Sequence, residues 1–476
     1  MLFNSLEFAL FFPLVFVFSW ALAKAHVLRL GMLLMASYAF YACSTPLFLL
    51  LLVASSATDF LAGHAMARAE RSGQQHTKKL WLIFSLTINL GLLSVFKYTN
   101  FFYGSAVQVL SLFGFDATFE PLAIALPVGI SFFTFQSMSY SIDLYRGRIE
   151  LERSWLRFFL FVGFFPQLVA GPIVRAADFL PQLHRLPALS RQQVGRALNL
   201  ISIGLFKKII IADALGINLV DRVFDAPSRY SSLELLVGLY GYTMQVYMDF
   251  SAYSDIALGS ALLLGYRLPD NFDRPYLATS VTDFWRRWHL TLGSWLRDYL
   301  YYPLGGSRSS DLQTYRNLFI TFLLIGLWHG ADWTFVVYGA LHASAMCLNR
   351  FLRVNVRGRK EHPLSLWGIA WRIFATLHFV VLARIFFRSQ TFPQAWEIIR
   401  GLAAGTMGFS LMTLPLWALL LGSYAIHWTP RKLVDGSMRG LERLPAPLQG
   451  ATFGAAVLWI AKRASARAVP FMYFRF

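Results

Sequence analysis

Apolar runs long enough to cross about 30 Å of hydrocarbon recur along the whole chain, and no other feature constrains its fold as strongly. They cover residues 8–23, 27–42, 46–62, 80–96, 122–142 and 155–170, then 198–220, 233–264, 318–328, 334–348, 367–387, 411–427 and 450–460. Backbone inside a bilayer has no water to bond, so these runs are expected to be helices. Several are short or interrupted by glycine and proline, which predicts about nine to twelve crossings, with some segments dipping in and returning. One dip is expected around Gly163-Phe164-Phe165-Pro166-Gln167 and Gly171-Pro172. In the polar stretch 171–196, Pro172, Pro181 and Pro187 should break any helix. With no internal repeat and no low-complexity linker, the sequence reads as a single all-α membrane domain over residues 1–476.

Charge fits that class. Only 14% of residues are charged, against roughly 25% in a typical soluble domain. The net charge of +18 is spread over the connections between apolar runs rather than gathered into a patch, so anionic headgroups or the phosphates of a cytoplasmic cofactor are expected as partners, and nucleic acid is not. Basic residues mark alternate connections: Lys24 and Arg29; Arg68, Arg71, Lys78 and Lys79; Arg146, Arg148, Arg153 and Arg157; and the stretch 350–360. Ser44-Thr45 and 116–120 are not basic, which places the N-terminus outside. For the C-terminus the span count points outside, whereas Lys462, Arg463, Arg467 and Arg475 point inside. The first apolar run lacks a basic leader and reads as a span, not a cleavable signal. Cys43 and Cys347 support neither a disulfide framework nor a thiolate metal site.

Two histidines interrupt this apolar background. His289 ends Phe284-Trp285-Arg286-Arg287-Trp288-His289, and His329 lies in Gly326-Leu327-Trp328-His329-Gly330. An ionisable ring at membrane depth is costly, so it is expected to face a cavity, a partner group or a reaction. A neutral imidazole at His329 can accept the proton of a hydroxyl and activate it, and Gly330 would relax the helix end and admit a substrate. The plain alternative is a ring bonded to a neighbouring helix carbonyl. Asp332 can orient that ring or cap the next helix. No metal is expected, because the two histidines lack the spacing of a zinc pair and no acidic ligands cluster with them. Cys347 is too far along the chain to act as a nucleophile beside His329.

Residues 282–302 follow a helical period. Phe284, Trp285, Trp288, Leu292, Trp295, Leu296 and Tyr299 share one arc, and Asp283, Arg286, Arg287, Ser294, Arg297 and Asp298 the other. This predicts one amphipathic helix capped by Thr282 or Asp283, with His289 at the border of the apolar arc. Arg286, Arg287 and Arg297, with Trp285 and Trp288, are candidates for holding a cofactor diphosphate. Contacts to lipid phosphates and headgroup anchoring by Trp285, Trp288 and Trp295 are the structural alternatives. Upstream, Gln245, Tyr247, Asp249, Ser251, Tyr253, Ser254 and Asp255 break the apolar stretch 240–264, and either line a water-filled path or join helices. Asp298 and Trp328 are further candidates for such a lining. His342, Asn349, His378 and His427 read as packing residues.

The runs 127–136 and 143–147, then 164–173, 204–208, 249–255, 271–276, 285–289, 295–301, 327–331 and 470–474, resemble the membrane-bound O-acyltransferase family. The likeness is to its bacterial alginate O-acetyltransferase branch and is continuous from about Ala36. Ala252, where many relatives carry Gly, and Asp332, where Asn is common, are small departures. The resemblance implies helical spans around a funnel or tunnel with His329 near its narrow part. It also implies His329 as the catalytic residue and His289 as a second functional position. Acetyl-CoA would be the donor, with no permanently bound cofactor. The acceptor would be a periplasmic SGNH-type acetyltransferase or equivalent protein serving an exopolysaccharide, and the location the bacterial inner membrane. Two rivals stay open: transfer of D-alanine from a carrier protein, and a transporter in which the histidines gate a path.

Overall fold

The computed structural model describes all residues except 44–45, 116–117, 309, 357–364, 465–468 and 473–476. The Ser44-Thr45 connection, Asp116, the basic residues at 357–360, and Arg467, Tyr473, Phe474 and Arg475 therefore lie outside the described residues. Among those described there is no strand, only an isolated antiparallel bridge between Phe272 and Trp288. The chain forms two compact units, Met1–Leu189 with Ser260–Pro269, and Ser190–Gly259 with Asp270–Phe476. Among the described residues three helices are long and apolar enough to cross a membrane, Phe48–Arg71, Gln75–Leu112 and Leu366–Arg388, and Leu6–Ala21, Leu414–Trp428 and Ala446–Ala461 are shorter apolar helices.

The first unit contains α1 (Leu6–Ala21), α2 (His26–Ala42), α3 (Phe48–Arg71), α4 (Gln75–Leu93), α5 (Thr99–Leu112), α6 (Ile130–Tyr145), α7 (Trp155–Gly163), α8 (Phe165–Leu168) and α9 (Ala176–Leu183). The run 122–142 is not one helix as expected. It stays irregular to Gly129 and turns helical at Ile130, because Gly129 takes φ 79° against the chain at Leu168, whose carbonyl oxygen would lie 2.7 Å from any added Cβ. From Ile130 to Leu144 every side chain of α6 is buried, so this helix is core. Arg29 also departs from expectation. It lies inside α2, fully buried, donating to the Ser19 carbonyl and hydroxyl and to the Tyr266 hydroxyl (3.1, 3.0 and 2.8 Å). A cation with that many acceptors ties helices together and marks no loop. The run 155–170 breaks at Phe164 between α7 and α8, and Pro181 sits inside α9 rather than ending it.

The second unit begins with α10 (Arg191–Leu205), which passes through a π turn (Phe206–Ala212), α11 (Asp213–Leu215), a second π turn (Gly216–Val220) and α12 (Asp221–Asp225). The long α13 (Ser232–Leu263) supplies most of its length here. Then come α14 (Val281–Trp285), α15 (Leu290–Leu296), α16 (Asp311–His329), α17 (Trp333–Phe351), α18 (Leu366–Arg388), α19 (Phe392–Ala403), α20 (Leu414–Trp428), α21 (Arg431–Glu442) and α22 (Ala446–Ala461). α16 and α17 pack backbone to backbone through small residues: a Cβ on Gly326 would come within 2.3 Å of the Phe335 carbonyl oxygen, and one on Gly339 within 2.6 Å of that of Phe322. This close packing fixes the end of α16, and hence His329.

Candidate functional site

Residues 282–302 do not form one helix. α14 is capped by Ser280, whose hydroxyl accepts from Asp283 N at 3.1 Å, and not by Thr282 or Asp283. It ends at Trp285, and helix resumes only at Leu290. The cause is the neighbouring loop: Asp273 N donates to the Arg287 carbonyl (2.9 Å) and Leu290 N to the Asn271 carbonyl (3.0 Å). Those groups would otherwise bond within a helix. His289 takes the turn at φ 46°, ψ 58°, a left-handed conformation uncommon outside glycine. The predicted arc nevertheless keeps its meaning, since Phe284, Trp285, Trp288, Leu292, Trp295, Leu296 and Tyr299 are all buried. Trp285, Trp288 and Trp295 therefore pack against protein and do not anchor headgroups.

The turn fixes His289. Its ring is fully buried, with Nδ1 3.1 Å from Asn271 Oδ1. That oxygen also accepts from Thr291 Oγ1 at 2.9 Å and Thr291 N at 3.4 Å, so it is an established acceptor and Nδ1 donates to it. Leu292 N approaches the same ring nitrogen at 3.4 Å, a longer contact that one protonated nitrogen cannot also accept. Because Nδ1 carries the proton of the neutral ring, Nε2 is its basic nitrogen. The segment lies outside the apolar spans, and burial pushes the His289 pKa down to about 3.

His329 ends α16 and is 2% exposed. The indole of Trp328 contacts both imidazoles, at 5.8 Å from His289 and 5.0 Å from His329. Phe250 lies edge-on to His289 at 4.8 Å, and Phe387 to His329 at 5.2 Å. Around His329, the structure selects one of the two alternatives for Asp332 and changes the expectation for Gly330. Asp332 caps α17, its Oδ1 accepting from Thr334 N at 2.8 Å. Gly330 has extended φ, and its missing side chain makes room for the Phe335 ring, which would lie 2.0 Å from an added Cβ.

The five residues expected to hold a donor fall into two groups. Trp285 and Trp288 are in the ring cluster, Trp285 Nε1 donating to His342 Nδ1 at 3.2 Å. Arg286 and Arg297 are exposed, Arg297 pairs with Asp298 at 3.0 Å, and Arg287 pairs with Asp283 at 2.8 Å. Of the polar residues on α13, Asp249 binds Lys208 Nζ at 2.7 Å and accepts from Met472 N at 2.7 Å, while Asp255 binds Lys207 at 2.7 Å. Tyr253 lies edge-on to Phe471 at 4.8 Å, Gln245 packs against Gly216, and Ser251 is buried. Tyr247 stacks edge-on against His427 at 4.6 Å, and Ser254 receives a long contact from Asn271 Nδ2 at 3.4 Å.

Sequence reasoning passed over three members of the cluster. Arg384 on α18 is buried with its guanidinium 4.8 Å over Trp288 and 5.0 Å over Phe387. An arginine within the apolar stretch 373–387 was the available signal. His342 and His427 were read as packing, yet both bond within the site, His427 Nε2 accepting from Tyr276 N at 3.2 Å. Asn349 and His378 tie helices, accepting from Thr282 Oγ1 at 3.1 Å and lying 3.0 Å from the Tyr240 hydroxyl. Among the described residues no group of three His, Cys, Asp or Glu is arranged to hold a metal.

Residues 152–387, which include both histidines, match the profile of the membrane-bound O-acyltransferase family. The chain is 39% identical over 399 residues to the probable alginate O-acetylase AlgI of Pseudomonas aeruginosa, covering 84% of this chain and 74% of that protein. It is 34% identical over 496 residues to the protein of that name from Pseudomonas putida, covering all of both. To the peptidoglycan O-acetyltransferase of Helicobacter pylori it is 36% identical over 405 residues, covering 80% of this chain and 74% of that protein.

Proposed function

The chain belongs to the membrane-bound O-acyltransferase family and is an O-acyltransferase, and on that premise we propose that it takes acetyl from cytoplasmic acetyl-CoA and passes it across the inner membrane. The receiver is a periplasmic acetyltransferase partner that O-acetylates an exopolysaccharide of the alginate type. What supports this reading is the meeting of His289 and His329 on the ring of Trp328, within the stretch that matches the family. His329 takes the proton of an acceptor hydroxyl as its oxygen bonds to the thioester carbonyl carbon. The C–S bond breaks, and the proton passes to the departing CoA thiolate. Transient acetylation of His329 before handover has the same balance. His289, neutral and held at Nδ1, orients donor or acceptor. Arg286, Arg287 and Arg297 meet the donor's phosphates, and the N-terminus is periplasmic. Peptidoglycan is the second acceptor polymer to consider, because of the Helicobacter pylori relative.

The test supplies membranes containing this chain and its candidate partner with acetyl-labelled acetyl-CoA or, separately, a D-alanyl carrier protein. Label on the partner with stoichiometric release of CoA thiol is expected. Turnover of the carrier alone would replace the donor, and polymer movement without thioester loss would make the chain a transporter.

A further inference from the structure

We propose that the second unit carries a site for one anionic phospholipid of the surrounding bilayer, in the opening between α10, α21 and α22. The opening encloses about 490 Å³, and its walls are mostly apolar, including Ile203, Phe206, Phe453, Ala456 and Trp459. It follows α10 from Gly195 to Phe206 at the start of the π turn, a length of about 16 Å at the helical rise. That shape fits a chain. On the same helix α22, Leu448, Leu458 and Trp459 are 50%, 66% and 45% exposed, as a lipid-facing surface would be.

One end is polar. Asn199 and Gln449 line it, and among the described residues Asn199 Nδ2 and Gln449 Oε1 have no hydrogen-bond partner. Gln449 is only 4% exposed, and its Nε2 donates to the Glu442 carbonyl at 3.0 Å, which fixes the amide with its oxygen unmatched. Buried amide atoms left unbonded are costly, so the end suits a ligand that supplies both an acceptor and a donor. A phosphate oxygen meets Asn199 Nδ2, and a headgroup hydroxyl meets Gln449 Oε1. Charge selects the headgroup. Arg191, whose guanidinium binds the Arg443 and Leu444 carbonyls, lies at this end with the exposed Arg196, Arg439 and Arg443. α21 itself carries exposed Leu433, Val434 and Leu441 beside its basic residues, the pattern of an interfacial helix. An acyl chain in the opening and a phosphate at its arginine rim satisfy both halves.

The test places the full chain in phosphatidylcholine nanodiscs carrying either phosphatidylglycerol or phosphatidylcholine with a photoactivatable group in the acyl chain, followed by peptide mapping after illumination. Phosphatidylglycerol should label peptides containing Ser202 to Phe206 and Thr452 to Ala456 in preference to phosphatidylcholine. Ala456→Trp, which fills the groove, should remove that preference. Arg439→Gln and Arg443→Gln should each lower it, roughly fivefold per arginine. Thr452→Trp replaces Ala456→Trp if the latter unfolds at a lower temperature than the wild type. Equal labelling by the two lipids, or labelling unchanged by the filled groove, overturns the proposal.

Discussion

Two buried polar centres, one in each unit, are built in opposite ways. In the first unit Asp59 on α3 is enclosed by neutral donors: Ser85 from α4, Asn89 Nδ2 at 2.9 and 3.1 Å, and Ser141 of α6 at 3.0 Å. Asn89 Oδ1 in turn accepts from Ser55 at 2.7 Å and Ser137 at 3.3 Å. Each donor comes from a helix that packs on the next, so the network joins α3, α4 and α6, and its chemistry is used up in doing so. In the second unit His289 is held through one nitrogen by Asn271 on a left-handed backbone, and His329 closes a helix whose end is fixed by glycine packing. Their closest described ring neighbours are aromatic. A side chain gripped on all sides by short polar partners holds a fold together, whereas the two histidines, one on a left-handed backbone and both packed against aromatic rings, are where we propose the reaction.

The sharpest way to break this contrast is Asp59→Leu. It leaves the donors of Ser85, Asn89 and Ser141 without their acceptor, at about 1–3 kcal/mol each. Thermal unfolding in detergent should register the loss, while transfer per folded molecule stays at the wild-type value. Lys208→Met tests whether the second unit also holds purely structural charge. It strands Asp213 and Asp249, which bind Lys208 at 2.8 and 2.7 Å. A cost of about 3–5 kcal/mol is expected, partly recovered when Asp249→Leu is added. Asn271→Ala should do the reverse of Asp59→Leu, with transfer falling about fivefold for a lost orienting bond of about 1 kcal/mol and a small change in melting.

The contrast also extends to pH dependence. His289 is depressed to about 3 by burial, so between its unfolded value near 6.5 and that value the unfolded chain binds the extra proton. Its contribution therefore weakens stability as pH falls below 6.5, and His289→Gln should flatten the melting profile between about pH 5 and 7. An equally steep profile in the variant would place the titrating group elsewhere.

The sequence made the helical class and the inward arc of 284–299 readable because both are periodic, and periodicity survives a local break. It concealed the break at His289 because the cause is a backbone bridge from Asn271 and Asp273, eighteen and sixteen residues upstream, that leaves no local signature. The same holds for Met472, whose N–H reaches Asp249 from the far end of the chain. Arg29 misled for a different reason: charge counting cannot separate a loop cation from one gripped by Ser19 and Tyr266. Arg384 had a signal, a charge within the apolar stretch 373–387, and it packs on Trp288 beside His289 and on Phe387 beside His329.

The central claim is that reaction resides at His329 and not at the other buried polar centre. The most direct measurement is transfer rate per folded molecule for His329→Gln and Asp59→Asn, with folded protein quantified by size-exclusion chromatography. The account predicts a loss of about 10²–10⁴-fold for His329→Gln, the range for a general base, and a rate unchanged by Asp59→Asn. Wild-type turnover in His329→Gln, or an equal loss in both, would contradict it.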